Sequence, residues 1–364
     1  MPRARQSRTT AVEVRSPVRL HLGMLSFGNP ALRSFGGLGL MVDRPGVQLR
    51  MHRANRFEAR GPQSERAIEF ATACSKAWNL GTAACSIEVV TAPPAHAGLG
   101  SGTQLALAVA AGMSQLFVRS DSADDLPAPP EHPMQPDFDP SEHELSFDTR
   151  ESLDFARATG RGRRSCVGVH GFSRGGLIVE AGRRVPAGAT ACDAEGREFA
   201  PMVARVRLPS AWRCVVIVGR DAIGLHGAEE SAAFTGLPPM DTAVSAELAR
   251  IALMDMLPAA VEGRFAEFAA AVGAYGRLAG RPFADLARRL PHSEATTHLL
   301  ELLVELGAPG CAQSSWGPTV MACCESLEAA GALVEHLERL QLAKHHELVI
   351  ARFDSQGATL RVLE

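Results

Sequence analysis

Lysine is nearly missing from this chain: of its 37 Lys and Arg residues, only Lys76 and Lys344 are lysines. A Walker A phosphate loop needs Gly-Lys followed by Ser or Thr, and neither lysine follows a glycine, so that nucleotide site is excluded. A basic surplus is missing too. The formal net charge is -3 at pH 7, whereas dedicated nucleic-acid binders carry a positive excess, so no nucleic-acid partner is expected. The 8 cysteines form no C-x-x-C pair, which argues against a zinc ribbon or a thioredoxin-like site. They are scattered through apolar stretches, where a free thiol behaves as a small buried hydrophobe, and a reduced, cytoplasmic setting is the simple reading. His345-His346 and the His292/His298 pair lack partners at ligand spacing, so zinc is not predicted. No apolar run approaches the length of a membrane span, and the longest, Leu105–Met113, suits a buried helix; no membrane partner is expected.

What is present is a folded globular composition, 46% apolar and 21% charged, over 364 residues, a length that predicts two domains. Residues 1–10 read as a basic tail without an apolar signal core. Alternation predicts strands over Ala11–Gly23, Val47–Ala59 and Ser86–Thr91, and helical periodicity covers Ser64–Trp78. Gln104–Phe117, rich in alanine and free of proline, predicts a further helix. The segment 120–148 is rich in Pro, Asp, Glu and Ser and reads as a surface excursion. A helix follows over Thr149–Ala158, and the alternating, glycine-rich Ser165–Gly182 suggests paired strands. A strand at Trp212–Val218 opens the second domain. Helices then fit Ala243–Ala274, interrupted near Pro258, and Glu294–Leu306. The strand–helix–strand–strand order over Thr319–Leu363 suggests an open sheet with helices on one face.

The densest chemical signal is Pro94-Ala95-His96-Ala97-Gly98-Leu99-Gly100-Ser101-Gly102-Thr103, set directly before the predicted helix. Gly98, Gly100 and Gly102 let the backbone approach a ligand, and the helix behind them offers unsatisfied N–H groups and the positive end of its dipole, which favours phosphate. The hydroxyls of Ser101 and Thr103 can reach a phosphate oxygen or a bound Mg²⁺. The alternative is a tight strand–helix turn with capping hydroxyls.

This loop resembles the P-x-x-x-G-L-G-S-S motif of the GHMP kinase superfamily, and Pro17-Val18-Arg19-Leu20-His21-Leu22 resembles its P-G-K/R-V-N-L motif, with His21 in place of Asn. Within that superfamily, His96–Leu107 is similar to the H-x-G-L-G-S-G-T-Q-L-A-L of β-ribofuranosylaminobenzene 5′-phosphate synthases. Gly160-Arg161-Gly162-Arg163-Arg164-Ser165 with Gly168-x-His170-Gly171-Phe172 resembles the same family, as do Gln313-Ser314-Ser315-Trp316-Gly317-Pro318-Thr319 and, more weakly, Gly224–Glu230. Ala312 departs from the pattern, since a glycine is expected there.

The resemblance implies an α+β GHMP-kinase-like fold in two parts. The first is a ribosomal-protein-S5-like domain over residues 11–205, and the second a ferredoxin-like domain over residues 206–364. It further implies that phosphoribosyl pyrophosphate and 4-aminobenzoate are the substrates, condensed with loss of CO₂ and pyrophosphate early in tetrahydromethanopterin synthesis, and that the enzyme is a homodimer using Mg²⁺. On this reading Arg19, His21, Arg163, Gln313 and Ser314 are catalytic. Gly98, Gly100, Ser101, Gly102, Thr103, Arg161, Arg164, Ser165, Ser315 and Trp316 hold substrate, with Ser101 near the metal. The three arginines offer forked donors for phosphate or carboxylate, a solvated basic turn being the alternative, and Trp316 offers a stacking face.

Three rivals remain. An ATP-dependent GHMP kinase fits the loop, but Gly102-Thr103-Gln104 stands where kinases carry a second serine and alanines. Gly171-Phe172-Ser173-Arg174-Gly175 matches G-x-S-x-G, yet a nucleophile elbow needs a strand before it and a helix after it, and a strand is predicted after it. A catalytically silent binding protein on the same scaffold is the third.

Overall fold

The computed structural model describes residues 9–29, 33–119, 144–185, 198–220, 237–284 and 292–363, together with 224, 232, 233, 288 and 290. Residues 1–8, most of the 120–148 excursion and 225–230 of the weakest motif lie outside the described residues. In chain order the first part runs β1 (Ala11–Met24), β2 (Gly37–Ala54), β3 (Glu58–Arg60), α1 (Ser64–Ala77), β4 (Ala84–Thr91), α2 (Ser101–Phe117), β5 (Glu144–Ser146), α3 (Thr149–Ala158), α4 (Val167–Arg174), β6 (Leu177–Glu180) and β7 (Met202–Val206). The second runs β8 (Arg213–Gly219), α5 (Thr242–Arg250), a π-helical segment (Ile251–Met256), α6 (Leu257–Glu262), α7 (Phe265–Gly280), α8 (Ser293–Glu305), β9 (Cys311–Gln313), β10 (Val320–Cys324), α9 (Leu327–Arg339), β11 (His346–Arg352) and β12 (Thr359–Leu363).

Two sheets organise these elements. The larger has the order β3-β4-β2-β1-β12-β5, with β6 on the far half of β2 and β7 on β6. The smaller, β11-β8-β10-β9, has the all-antiparallel ferredoxin-like order. The α+β expectation holds. Helix α2 is buried on nearly every side, because its Ala- and Leu-rich sequence has no polar face to give to water. It packs with Val12, Val14, Leu49 and Met51 in one core. Further along β1, Val18, Leu20 and Leu22 belong to a second core shared with Phe268, Val272 and Tyr275 of α7 and Val216 and Val218 of β8. Val215 and Ile217 fill a third core on the other face, so β8 is buried on both sides and reads as one apolar run.

Two expectations are corrected. The strand–helix–strand–strand ending does not lie in one sheet: β11 joins the smaller sheet, but β12 pairs antiparallel with β1, Ala11 opposite Leu363. The predicted range of the second domain, 206–364, thus takes in a strand, β12, that belongs to the larger sheet. Nor is Ser165–Gly182 a pair of strands; it is a buried helix followed by β6. Its glycines imitated strand punctuation, but Gly171 sits in α4 where an added Cβ would lie 2.2 Å from the Met41 sulfur. The helix reaches the sheet only because that side chain is missing. Ser173 of the G-x-S-x-G match is buried near the end of α4, its hydroxyl donating to the His170 carbonyl, with a helix before it and a strand after it, the reverse of a nucleophile elbow.

Candidate active site

The glycine segment ends in a helix start of the predicted kind. Gly100 is the residue before α2 and adopts φ 64°, and the first turn of α2 carries no acidic side chain. The amides of Ser101 and Gly102 stand in that first turn, where a helix provides no intrahelical acceptor. Ser101 donates its hydroxyl to the Pro94 carbonyl at 3.2 Å, which leaves its lone pairs for a ligand.

Strand β1 and the third glycine-rich segment lock this loop from beneath. Ser314 is fully buried; its hydroxyl donates to the Gly98 carbonyl (2.8 Å) and accepts from the His21 amide (2.9 Å). The Ser315 amide donates to the His21 carbonyl at 2.9 Å. Arg19 donates through Nη1 to the Gly98 carbonyl at 3.0 Å. At Gly98 (φ 92°) an added Cβ would stand 2.4 Å from the Ser314 carbonyl oxygen, so the two backbones meet only through glycine. Gln313 donates to the Gly317 carbonyl at 2.9 Å. Gln313 and Ser314 therefore brace the loops and do not line the cleft, whereas Arg19, His21, Ser315 and Trp316 do. Ala312 lies in regular β9, its Cβ facing Gly276 of α7; the glycine that permits close approach stands on the neighbouring helix instead.

The arginine loop forms the opposite rim. Gly160 and Gly162 take positive φ, and Arg161, Arg163, Arg164 and Ser165 line the cleft. Its shape is held by two buried residues flanking the end of β6. Arg183, 1% exposed, donates to the carbonyls of Gly162, Arg164 and Glu198. Glu180, fully buried, accepts from the Cys166 amide at 2.6 Å. Burial pushes the Glu180 carboxyl up to about 7, against the lowering pull of Ser165, the Cys166 amide, Arg183 and Arg19.

The resulting cleft, of about 330 Å³, gathers most of the predicted residues. Met24, Phe35 and Trp316 of the lining belong to one apolar cluster, the Trp316 ring meeting Phe283 edge-on at 4.9 Å. Arg66 and Arg161 gather instead on the Phe70 ring, and Arg163 lines the cleft with them. His21 is buried with no hydrogen bond to Nε2, and burial, then the Arg19 charge, holds its pKa well below the usual range, so it is a neutral imidazole at pH 7. No carboxylate lines the cleft among the described residues. Sequence reasoning missed Met24, Phe35 and Arg66 in the lining and Glu180 and Arg183 beneath it. Two signals existed: Arg66 and Phe70 sit one helical turn apart on α1, and Glu180 closes an otherwise apolar strand.

Residues 65–128 match the family described as GHMP kinases N terminal domain. Over 355 residues the chain is 27% identical to a β-ribofuranosylphenol 5′-phosphate synthase of Archaeoglobus fulgidus, covering 96% of this chain and 100% of that one. A protein of the same name from Methanothermobacter thermautotrophicus is 26% identical over 339 residues, covering 88% and 92%. Among solved structures, homoserine kinase from Cytophaga hutchinsonii superposes with TM-score 0.61 at 13% identity over 99% of this chain and 100% of that one. Mevalonate pyrophosphate decarboxylase from Streptococcus pyogenes gives TM-score 0.59 at 14% identity over 96% and 99%. The chain is thus related to these synthases in sequence and has the fold of GHMP kinases, as the motifs implied.

Proposed function

We propose that the chain is a decarboxylating phosphoribosyltransferase that joins phosphoribosyl pyrophosphate to 4-aminobenzoate, early in tetrahydromethanopterin synthesis. The products are β-ribofuranosylaminobenzene 5′-phosphate, CO₂ and pyrophosphate. The observation that carries this reading is the mixed lining of the cleft: guanidinium groups gathered on Phe70 beside a helix N-terminus, and a separate apolar cluster that holds Met24, Phe35 and Trp316, without a carboxylate among the described lining residues. That lining suits two anions, one of which bears a flat ring.

The bonds balance without a redox partner. The ribosyl C1–O bond breaks and its electron pair leaves on pyrophosphate. The ring carbon para to the amino group bonds to C1, and the pair in its bond to the carboxyl carbon returns to the ring as CO₂ departs. No proton is gained or lost overall, so the side chains act by charge and shape. Arg161 and Arg163 would offset the charge gathering on pyrophosphate. Met24, Phe35 and Trp316 would keep water from the ribosyl cation. His21, neutral and buried under the cleft, adds no charge beside the ribosyl centre. For Mg²⁺ the described lining offers the hydroxyls of Ser101 and Thr103, a donor set suited to an ion already bound to phosphate oxygens, where it would neutralise the leaving group.

A kinase on this fold is the alternative. Against it, the relatives in sequence over most of the chain bear the synthase name, while the kinases match in fold. The test is CO₂ release from carboxyl-labelled 4-aminobenzoate, and in parallel from 4-hydroxybenzoate because the relatives' name is that of a phenol, with Mg²⁺ and with or without phosphoribosyl pyrophosphate. Release that requires the phosphoribosyl donor is expected. No release from either acid, with ATP consumed on an alcohol instead, would overturn the reading. A cytoplasmic homodimer completes the proposal. The seven described cysteines are all free and buried, which suits a reducing compartment, and light scattering reads the oligomeric state.

A further inference from the structure

We propose that Arg66 and Arg161, stacked on Phe70 beside Gly102, form a subsite that grips a phosphate group of the substrate, distinct from the backbone turn of the glycine loop. The inference rests on the reading that the cleft takes a phosphorylated donor, and it says which end of the cleft that donor occupies.

Arg66 lies on the first turn of α1 and is held by Gln63, whose Oε1 accepts from Arg66 Nη1 at 2.6 Å while its Nε2 donates to the Pro93 carbonyl at 2.6 Å. This clamp lays the guanidinium against the start of α2, where a Cβ at position 102 would stand 2.3 Å from Arg66 Nη2. Gly102 is therefore the space that Arg66 occupies. Arg161 reaches the same place from the arginine loop. Its guanidinium stacks on the Phe70 ring at 4.6 Å from the centroid, with that of Arg66 at 5.8 Å from the same ring.

As it stands, the arrangement collects like charge. Two guanidiniums share one aromatic ring, Arg163 lines the same rim, and the positive end of α2 faces them, its first turn without an acid. No ion pair joins Arg66, Arg161 or Arg163 to a carboxylate among the described residues, and Arg161 Nε is buried without a hydrogen bond. Glu69 is the acid whose charge acts on both Arg66 and Arg161, at a distance rather than through a contact. Burial first, then Arg66 and Arg163, pushes the Arg161 guanidinium down to about 10. An anion carrying two negative charges relieves every one of these repulsions, and a phosphate also meets the forked donors edge to edge. The apolar cluster of Met24, Phe35 and Trp316 is then left for the aromatic acceptor.

The donor carries phosphate at two ends, the 5′-phosphate and the pyrophosphate, so the test uses both chemistries. Calorimetry measures inorganic pyrophosphate and ribose 5-phosphate binding to the full chain, to Arg66→Gln and to Glu69→Gln, with Arg66→Lys separating charge from fork geometry and thermal melts checking folding. The expected result is that Arg66→Gln weakens one of the two ligands by about tenfold or more and leaves the other within twofold, which identifies the phosphate held. Arg66→Lys is expected to fall between, and Glu69→Gln to bind no more weakly than the parent. Unchanged affinity for both ligands in a folded Arg66→Gln protein would overturn the subsite and leave the phosphorylated-donor reading standing. If the parent chain bound neither ligand, that reading would fall, and the subsite with it.

Discussion

Among the described residues, arginines line both a hollow on the outer strands and the cleft, and those of the hollow are paired with carboxylates while Arg66, Arg161 and Arg163 of the cleft are not. Over the outer strands of the larger sheet, a hollow of about 350 Å³ is lined by Arg50, Arg60, Glu58 and Glu88 among others. There Arg60 meets Glu88 at 3.0 Å and Arg50 meets the buried Glu13 at 2.8 Å. In the cleft, Arg66, Arg161 and Arg163 have an aromatic ring, a glutamine and a helix N-terminus as neighbours instead of a carboxylate. A hollow whose charges are mutually paired asks nothing of a ligand. One whose charges repel is less stable empty than filled, and the difference in free energy is available for binding. Cavity size alone does not separate the two; the pairing does.

The comparison can be broken most directly at Arg161. Its replacement by alanine is expected to lower kcat/KM for CO₂ release by about 10²–10³-fold, since a charge-assisted contact to a phosphate of the donor is lost. The thermal midpoint should not fall, because a like charge is removed from a crowded cluster. Unchanged kinetics in a folded variant would put Arg161 in the same class as Arg60.

The acid beneath the cleft sharpens the contrast through pH. Glu180 has its folded pKa raised from 4.5 to about 7, so its neutral form favours the fold. That stabilisation is fully present below pH 4.5 and is lost as pH rises through about 7, an effect of roughly 3 kcal/mol for a group so deeply buried. Urea unfolding from pH 4.5 to 8 should show this decline in the parent and a flatter profile in Glu180→Gln. His21 runs the other way, its depressed pKa giving stability above pH 6.5 that fades on acidification.

Gly102→Ser, the kinase-like residue, is expected to reduce kcat/KM by about 10–100-fold by displacing Arg66, and to cost little more in an Arg66→Ala background. Additive losses in that double-mutant cycle would separate the two residues. The smallest effect belongs to the paired hollow. Arg60→Ala should leave kcat/KM unchanged and shift stability by less than about 1 kcal/mol, because both partners of its ion pair are exposed.

How far the sequence could be read followed from how local each feature is. Helices α1, α2, α3 and α9 were visible because periodicity, an alanine-rich run and capping residues act within a few positions. Asp148 does form the reciprocal box with Glu151 at the start of α3. Helix α4 was misread because its glycines serve contacts with Met41 on a distant strand. The interruption near Pro258 appears as the π-helical segment Ile251–Met256, which runs without a break into α6, so the ladder is widened in the turn before the proline and not ended there. At the site, Arg19, His21, the glycine turn and the arginine loop were legible as motifs and do meet in one cleft. Arg66 was not, since its place depends on Gly102 being next to it in space. Gln313 and Ser314 stand out in the sequence, yet their hydrogen bonds hold backbone, Gln313 in its own loop and Ser314 to the glycine loop and β1.

The pairing of β12 with β1 has a bearing on how the molecule comes into being. Strand β1 carries Arg19 and His21 on the half paired with β2, while its Ala11–Arg15 half also pairs with β12, Ala11 opposite Leu363, so that half gains its second neighbour only once residue 363 has been made. Strand β5 has β12 as its sheet partner and must wait equally long. A nascent chain will hold an open β1 edge while the second sheet forms, a long-range closure of the kind that slows folding and leaves strands exposed to wrong partners. A chain cut short before Thr359 would leave that edge uncovered while the Arg19–His21 half of β1 kept its partner in β2.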